Sequence, residues 1–108
     1  MKLNEKKIVI TSAVRTAVGE FGGSLKNMQG HDLGSIVVKE AMKKSKLKPN
    51  DVDELIMGQV LTGAAGQNPA RQAAIQAGLP IDKTAYVINQ VCGSGLRSVA
   101  AGYQAIMS

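Results

Sequence analysis

TAYVINQVCGSGLRSVAAGYQAIM, residues 84–107, decides the fold. Its opening run, TAYVINQV, is rich in β-branched and aromatic residues and reads as a strand. From Gly93 onward Leu96, Val99, Ala100, Tyr103 and Met107 recur at helical spacing, while Ser98, Ala101, Gly102 and Ala105 keep much of the remainder small. Such a helix is apolar or small nearly all round, which predicts that it is buried and closely approached by its neighbours. Strand therefore passes almost directly into helix, and Cys92, the lone cysteine, stands at the joint.

Upstream the pattern repeats. NPARQAAIQAGLP (68–80) carries full helix punctuation, with Asn68 to cap, Pro69 at the first helical position, Gly78 to stop and Pro80 beyond. VDELIMGQVLTG (52–63) reads as a strand, and GAAGQ leads out of it. DLGSIVVKEAMKKS (32–45) places Leu33, Ile36, Val37 and Ala41 at helical spacing, with Asp32 available as N-cap and Pro49 following. RTAVGEFGGSLKNMQG (15–30), with four glycines and no helical period, is a loop long enough to suggest a functional role. KKIVITSAV (6–14), short and β-branched, predicts a first strand. The order βαβαβα implies an α/β fold on a parallel sheet with right-handed crossovers. The last helix reaches Met107-Ser108 without a stop signal and has no strand after it. The expectation is a partial α/β domain, the N-terminal part of something longer.

Composition narrows the function classes. A chain of 108 residues, 44% hydrophobic, supports one modest core. The aromatic residues are only Phe21, Tyr86 and Tyr103, which gives no stacking surface for nucleic acid. Although the net charge is +5, the lysines cluster in KK at 6–7 and KKSKLK at 43–48. The latter run suits a helix C-terminus, and the basic surface also attracts anions such as a phosphorylated cofactor. A lone cysteine, no Asn-x-Ser/Thr acceptor and too short an apolar start for a signal peptide predict a cytoplasmic location. No stretch approaches the roughly 20 apolar residues of a membrane span. One His and one Cys make no zinc cluster, and Ser98 stands where the third glycine of a dinucleotide-binding loop belongs.

The joint gives Cys92 a chemical logic. A residue at the end of a parallel strand lies at the carboxyl edge of the sheet, where open α/β folds bind ligands. The positive end of the following helix favours thiolate over thiol. Gly93 and Gly95 remove side chains, so a substrate can come near the sulfur and near backbone N–H groups able to hold an oxyanion. That geometry suits nucleophilic attack on a carbonyl or thioester. A buried structural cysteine would show the same local pattern.

The chain resembles the thiolase family, and its acetyl-CoA acetyltransferases in particular. INQVCGSGLRSVAAGYQAI (88–106) is similar to the thiolase acyl-enzyme signature, from Asn89 through Cys92 and Gly93-Ser94-Gly95 to Ile106. ITSAVRTAVGEFGGSL (10–25) and GQVLTGAAGQNPARQAAIQAGLP (58–80) resemble the family's other N-terminal stretches in the same order. The resemblance implies that Cys92 is the nucleophile acylated by an acyl-CoA, with its own backbone N–H as an oxyanion donor. It implies acetyl-CoA, acetoacetyl-CoA or another 3-oxoacyl-CoA, and CoA as substrates, without a metal or redox cofactor. The reaction would be thiolysis or Claisen condensation. The segment near 58–68 would lie by the subunit contact of a homo-oligomer, a dimer or tetramer.

The family's activating histidine, second cysteine and most of its CoA-binding surface have no counterpart in these residues. His31 reads instead as a solvent-facing or capping residue at a helix start. The expectation is that this piece alone is inactive and exposes a sheet edge and an apolar helix face. A ketoacyl synthase-like condensing enzyme and a non-catalytic fragment are the competing readings.

Overall fold

A computed structural model describes residues 7–108. Helix α1 spans Gly30–Ser45, a 3₁₀ turn follows at Pro49–Asp51, and strand β1 runs Glu54–Gly58. Helix α2 spans Pro69–Gln76, strand β2 runs Thr84–Ile88, and helix α3 spans Ser94–Met107. The two strands pair in parallel, from Glu54 opposite Thr84 to Gly58 opposite Ile88. The α/β character and the parallel pairing are as expected.

The first strand is not. Lys6 lies outside the described residues, and 7–14 carry no strand assignment. A strand exists only where its backbone finds a ladder partner, and this segment is held through side chains instead. Ser12 Oγ donates to the Ala41 carbonyl at 3.0 Å, and Thr11 Oγ1 meets Ser45 Oγ at 2.7 Å, both at the C-terminal end of α1. β-Branched composition cannot tell such a strap from a strand. Among the described residues the order is thus αβαβα on a two-stranded sheet.

Alternation along the strands gives the sheet two faces. Leu55 and Ala85 point to one side and pack against Met42, Ala74 and Leu79. Ile56 and Gly58 point to the other, where α3 lies. The core between α1, α2 and the sheet is built largely from small side chains: Ala70, Ala73, Ala74 and Ala77 are all buried. Gly34 lets α1 come close, since a Cβ there would sit 2.9 Å from Met57 Cε and 3.2 Å from Ala73 Cβ.

The punctuation of α2 works as read. Asn68 Oδ1 accepts from the Arg71 N–H at 3.1 Å, and its Nδ2 donates to the Ala85 carbonyl at 3.0 Å, so the cap also ties the helix to β2. Arg71 donates to the carbonyls of Ile81 and Lys83, both at 2.9 Å, which fixes the lead-in to that strand. Gly78, at φ +89°, ends the helix in a conformation that favours glycine.

Asp32 does not cap α1. The helix starts earlier, with Gln29 as N-cap, and the Asp32 carboxylate accepts the Gln29 N–H at 2.8 Å from the first turn. This is the return arm of a capping box rather than its leading residue. Asp32 Oδ1 also accepts from Gln76 Nε2 at 2.9 Å, which joins the start of α1 to the end of α2. The Gln76 bond, then the Gln29 bond, hold the Asp32 carboxyl below its ordinary value of 3.8.

Nor is α3 buried within this chain. Leu96 is 78% exposed, and Val99, Tyr103, Ile106 and Met107 are also exposed; α3 packs on one sheet face, and residues 8–10 line a hollow with its Val99, Gly102, Tyr103 and Ile106.

Two outcomes follow from these features. A carboxyl with a depressed folded-state pKa contributes stability that is complete above 3.8 and is lost as pH falls through its lower folded value. The melting temperature of the native chain therefore falls more steeply below pH 3.8 than that of Asp32→Asn, measured by circular dichroism. The exposed apolar face of α3 drives self-association, so sedimentation at rising concentration shows mass above the monomer, and Leu96→Lys with Val99→Lys lowers it.

Candidate functional site at the end of strand β2

The parallel register brings the carboxyl ends of β1 and β2 to one edge, and there the chain turns from Ile88 into α3. Cys92 lies in that turn with an exposed thiol. Within this chain Cys92 is therefore not a buried cysteine.

The turn is held by its own side chains. Val91 adopts φ 49°, the left-handed region that a β-branched residue avoids, at a cost of about 1–3 kcal/mol. The Val91 N–H donates to Asn89 Oδ1 at 3.0 Å, and its carbonyl accepts from Ser94 Oγ at 2.6 Å. Ser94 Oγ also accepts the Gln90 N–H at 2.8 Å, so this buried hydroxyl is satisfied both as donor and as acceptor. The N–H groups of Gly93 and Ser94 donate to the carbonyls of Gln90 and Val91 at 3.0 and 3.1 Å. Both N–H groups are thus engaged within the turn.

Gly58 was not singled out by sequence reasoning, yet α3 rests on it. A Cβ at this position would lie 2.4 Å from the Ser94 carbonyl carbon and 2.5 Å from the Gly95 nitrogen. Only glycine lets the first turn of α3 lie directly on the end of β1. A glycine inside a strand pattern was the available signal, but a sequence does not reveal what approaches it. At Gly95, by contrast, a Cβ would meet nothing within 4 Å. The open side expected of that glycine is present, and a shallow hollow of about 310 Å³ lies beside it, lined by Gln90, Gly93, Leu96, Arg97 and Ala100. A larger hollow of about 480 Å³, lined by Asp53, Glu54, Ile56, Gly102, Ala105 and Ile106, lies toward the amino end of β1, away from the thiol.

His31 is not brought into the turn. Its Nδ1 lies 2.9 Å from Gln76 Oε1 and 3.4 Å from Asp32 Oδ1, so it bridges α1 and α2 with a half-buried side chain rather than facing solvent or capping. Among the described residues no group of His, Cys, Asp and Glu is arranged to hold a metal ion, and no helix is long and apolar enough to cross a membrane.

The loop after β1, residues 59–67, stands against the same edge. Val60 accepts from Asn89 Nδ2 at 3.1 Å, and Gln72 Nε2 staples the loop to α2 through the carbonyls of Ala65 and Gln67 at 2.8 and 2.9 Å. Leu61 projects from it, 84% exposed.

Fold and turn together define an α/β protein that presents a cysteine at the carboxyl edge of a parallel sheet. The chain belongs to the thiolase family: the family model described as "Thiolase, N-terminal domain" matches residues 8–108. It is 56% identical over 101 residues to an acetyl-CoA acetyltransferase of Cupriavidus necator, covering 94% of this chain and 26% of that protein. An acetyl-CoA acetyltransferase of Paracoccus denitrificans is 55% identical over the same shares. The crystal structure of Acat5 thiolase from Ascaris suum in complex with coenzyme A superposes with a TM-score of 0.88 at 41% identity, covering 90% of this chain and 25% of that one. The chain thus spans about a quarter of the length of the relatives it matches.

Gly58→Ala destabilises the chain by about 1–3 kcal/mol, because backbone rather than a flexible side chain must move. Gly95→Ala, with open space and better helix propensity, is neutral or stabilising by up to about 1 kcal/mol. Urea unfolding of the two variants checks the contrast.

Proposed function

We propose that this chain carries the acyl-accepting cysteine of an acetyl-CoA acetyltransferase and forms the N-terminal part of that enzyme. The observation that carries the reading is the exposed Cys92 in a strained, self-bonded turn at the carboxyl edge of the sheet, in a chain of the thiolase family.

In this reading the Cys92 sulfur, as thiolate, attacks the thioester carbonyl of an acyl-CoA. Charge develops on the carbonyl oxygen, and the Cys92 backbone N–H donates to it. The carbon–sulfur bond to CoA then breaks, CoA leaves as a thiolate that takes up a proton, and the acyl group stays on Cys92. In thiolysis the sulfur instead attacks the 3-oxo carbon of acetoacetyl-CoA or another 3-oxoacyl-CoA, the C2–C3 bond breaks, acetyl-CoA leaves as an enolate that takes up a proton, and CoA later removes the remaining acyl group from Cys92. In condensation a second acetyl-CoA, deprotonated at its methyl carbon, attacks the acetyl-enzyme. Neither step calls for a metal or redox cofactor. Among the described residues the single histidine, His31, is engaged with Gln76 and Asp32, so in this reading the groups that take the Cys92 proton and deprotonate the second acetyl-CoA come from the rest of the enzyme. The 59–67 loop, with Leu61 projecting, is a suitable contact for a second subunit in a dimer or tetramer.

The test is incubation of the chain with acetyl-CoA, followed by intact-mass analysis and peptide mapping. The expected result is one acetyl group on Cys92, absent after iodoacetamide treatment and absent in Cys92→Ser, without steady turnover of acetoacetyl-CoA by the piece alone. Acetylation confined to lysines overturns the reading.

A further inference from the structure

Among the described residues, one side chain hydrogen-bonds the turn that presents Cys92 to another element. Asn89 Oδ1 accepts the Val91 N–H at 3.0 Å, and Asn89 Nδ2 donates to the Val60 carbonyl at 3.1 Å. One amide thus joins the left-handed residue just before the cysteine to the loop leaving β1. Both ends matter. The Oδ1 bond satisfies an N–H that, in the left-handed conformation of Val91 at φ 49°, has left the strand ladder. The Nδ2 bond anchors that turn to a different strand exit, so the turn cannot swing as a unit without breaking it.

We propose that Asn89 is the positioning residue for Cys92: by bridging Val60 and Val91 it holds the turn in the left-handed form that aims the sulfur and the Cys92 N–H at one incoming carbonyl. This rests on the reading of Cys92 as acyl acceptor. Ser94 works on the same turn from the helix side, but its bonds close within residues 90–94 and do not reach another element. Among the described residues Asn89 is the one side chain of the turn that hydrogen-bonds another element, and only an amide carries both the acceptor and the donor at this reach. Aspartate keeps the acceptor for Val91 and loses the donor to Val60. Alanine loses both.

The experiment compares the native chain with Asn89→Asp and Asn89→Ala by two readouts, with circular dichroism to check folding. The first is amide hydrogen exchange at Val91 and Gly93, which reports the turn without any acyl chemistry. The second is the ratio of Cys92 acetylation by acetyl-CoA to Cys92 alkylation by iodoacetamide. Alkylation needs only an accessible thiol, whereas acyl transfer needs the aimed sulfur and oxyanion donor together. Expected for Asn89→Ala is faster exchange at both amides and a ratio lowered by about tenfold or more. Asn89→Asp retains slow exchange at Val91, loses it at Gly93 and gives an intermediate ratio; it carries the test should Asn89→Ala unfold. An unchanged ratio together with unchanged exchange overturns the positioning role. If the native chain takes no acetyl group, the acyl-acceptor reading fails, and exchange alone decides whether Asn89 sets the turn.

Discussion

The structure hangs on the contact between the end of β1 and the first turn of α3. Because the strands are parallel and in register, Gly58 lies opposite Ile88, and the chain leaving β2 must turn back over the sheet at that edge. The missing side chain of Gly58 brings the Ser94–Gly95 backbone against the strand. That approach buries Ser94, whose hydroxyl then closes the turn around Val91. The placement of the cysteine is thus a consequence of backbone packing on a glycine, with the polar groups of Asn89 and Ser94 holding the strained geometry that results.

On the opposite face the same principle of close approach builds the core. Alanines of α2 and Gly34 of α1 let helices and sheet meet with little side-chain volume between them, so the core is thin, with Met42 and Leu79 as its large buried side chains and Val38, Val52 and Leu55 half-buried against them. Such an interface relies on complementarity, since small side chains bury little area each. Polar ties then do much of the joining: Asn68 and Arg71 bind α2 to β2, and the Asp32, Gln76 and His31 cluster joins α1 to α2.

The exposed face of α3 and the hollow beside Ile56 fit a chain that spans about a quarter of its thiolase relatives. The helix is apolar or small nearly all round, yet this sheet offers it one side only. Local sequence measures how much burial a helix requires, and only the surrounding elements measure how much it receives.

The sequence by itself determined the elements whose signals are local. The cap, proline and glycine of α2, the periodicity of α1 and α3, both paired strands and the cysteine at their joint were legible, because capping, helical period and turn chemistry act between residues close in the chain. The thiolase resemblance was legible for the same reason, in a contiguous stretch around Cys92. The tertiary structure decided what depends on a distant partner. Residues 7–14 have the composition of a strand but bond through side chains to α1. Asp32 serves Gln29 and Gln76 instead of leading the helix, and His31 belongs to that link rather than to solvent. Gly58 shows its role only when α3 lies across it, and Asn89 only when the β1 exit loop is beside it. In each case the deciding atom comes from a distant part of the fold, or from a packing choice that no local pattern encodes.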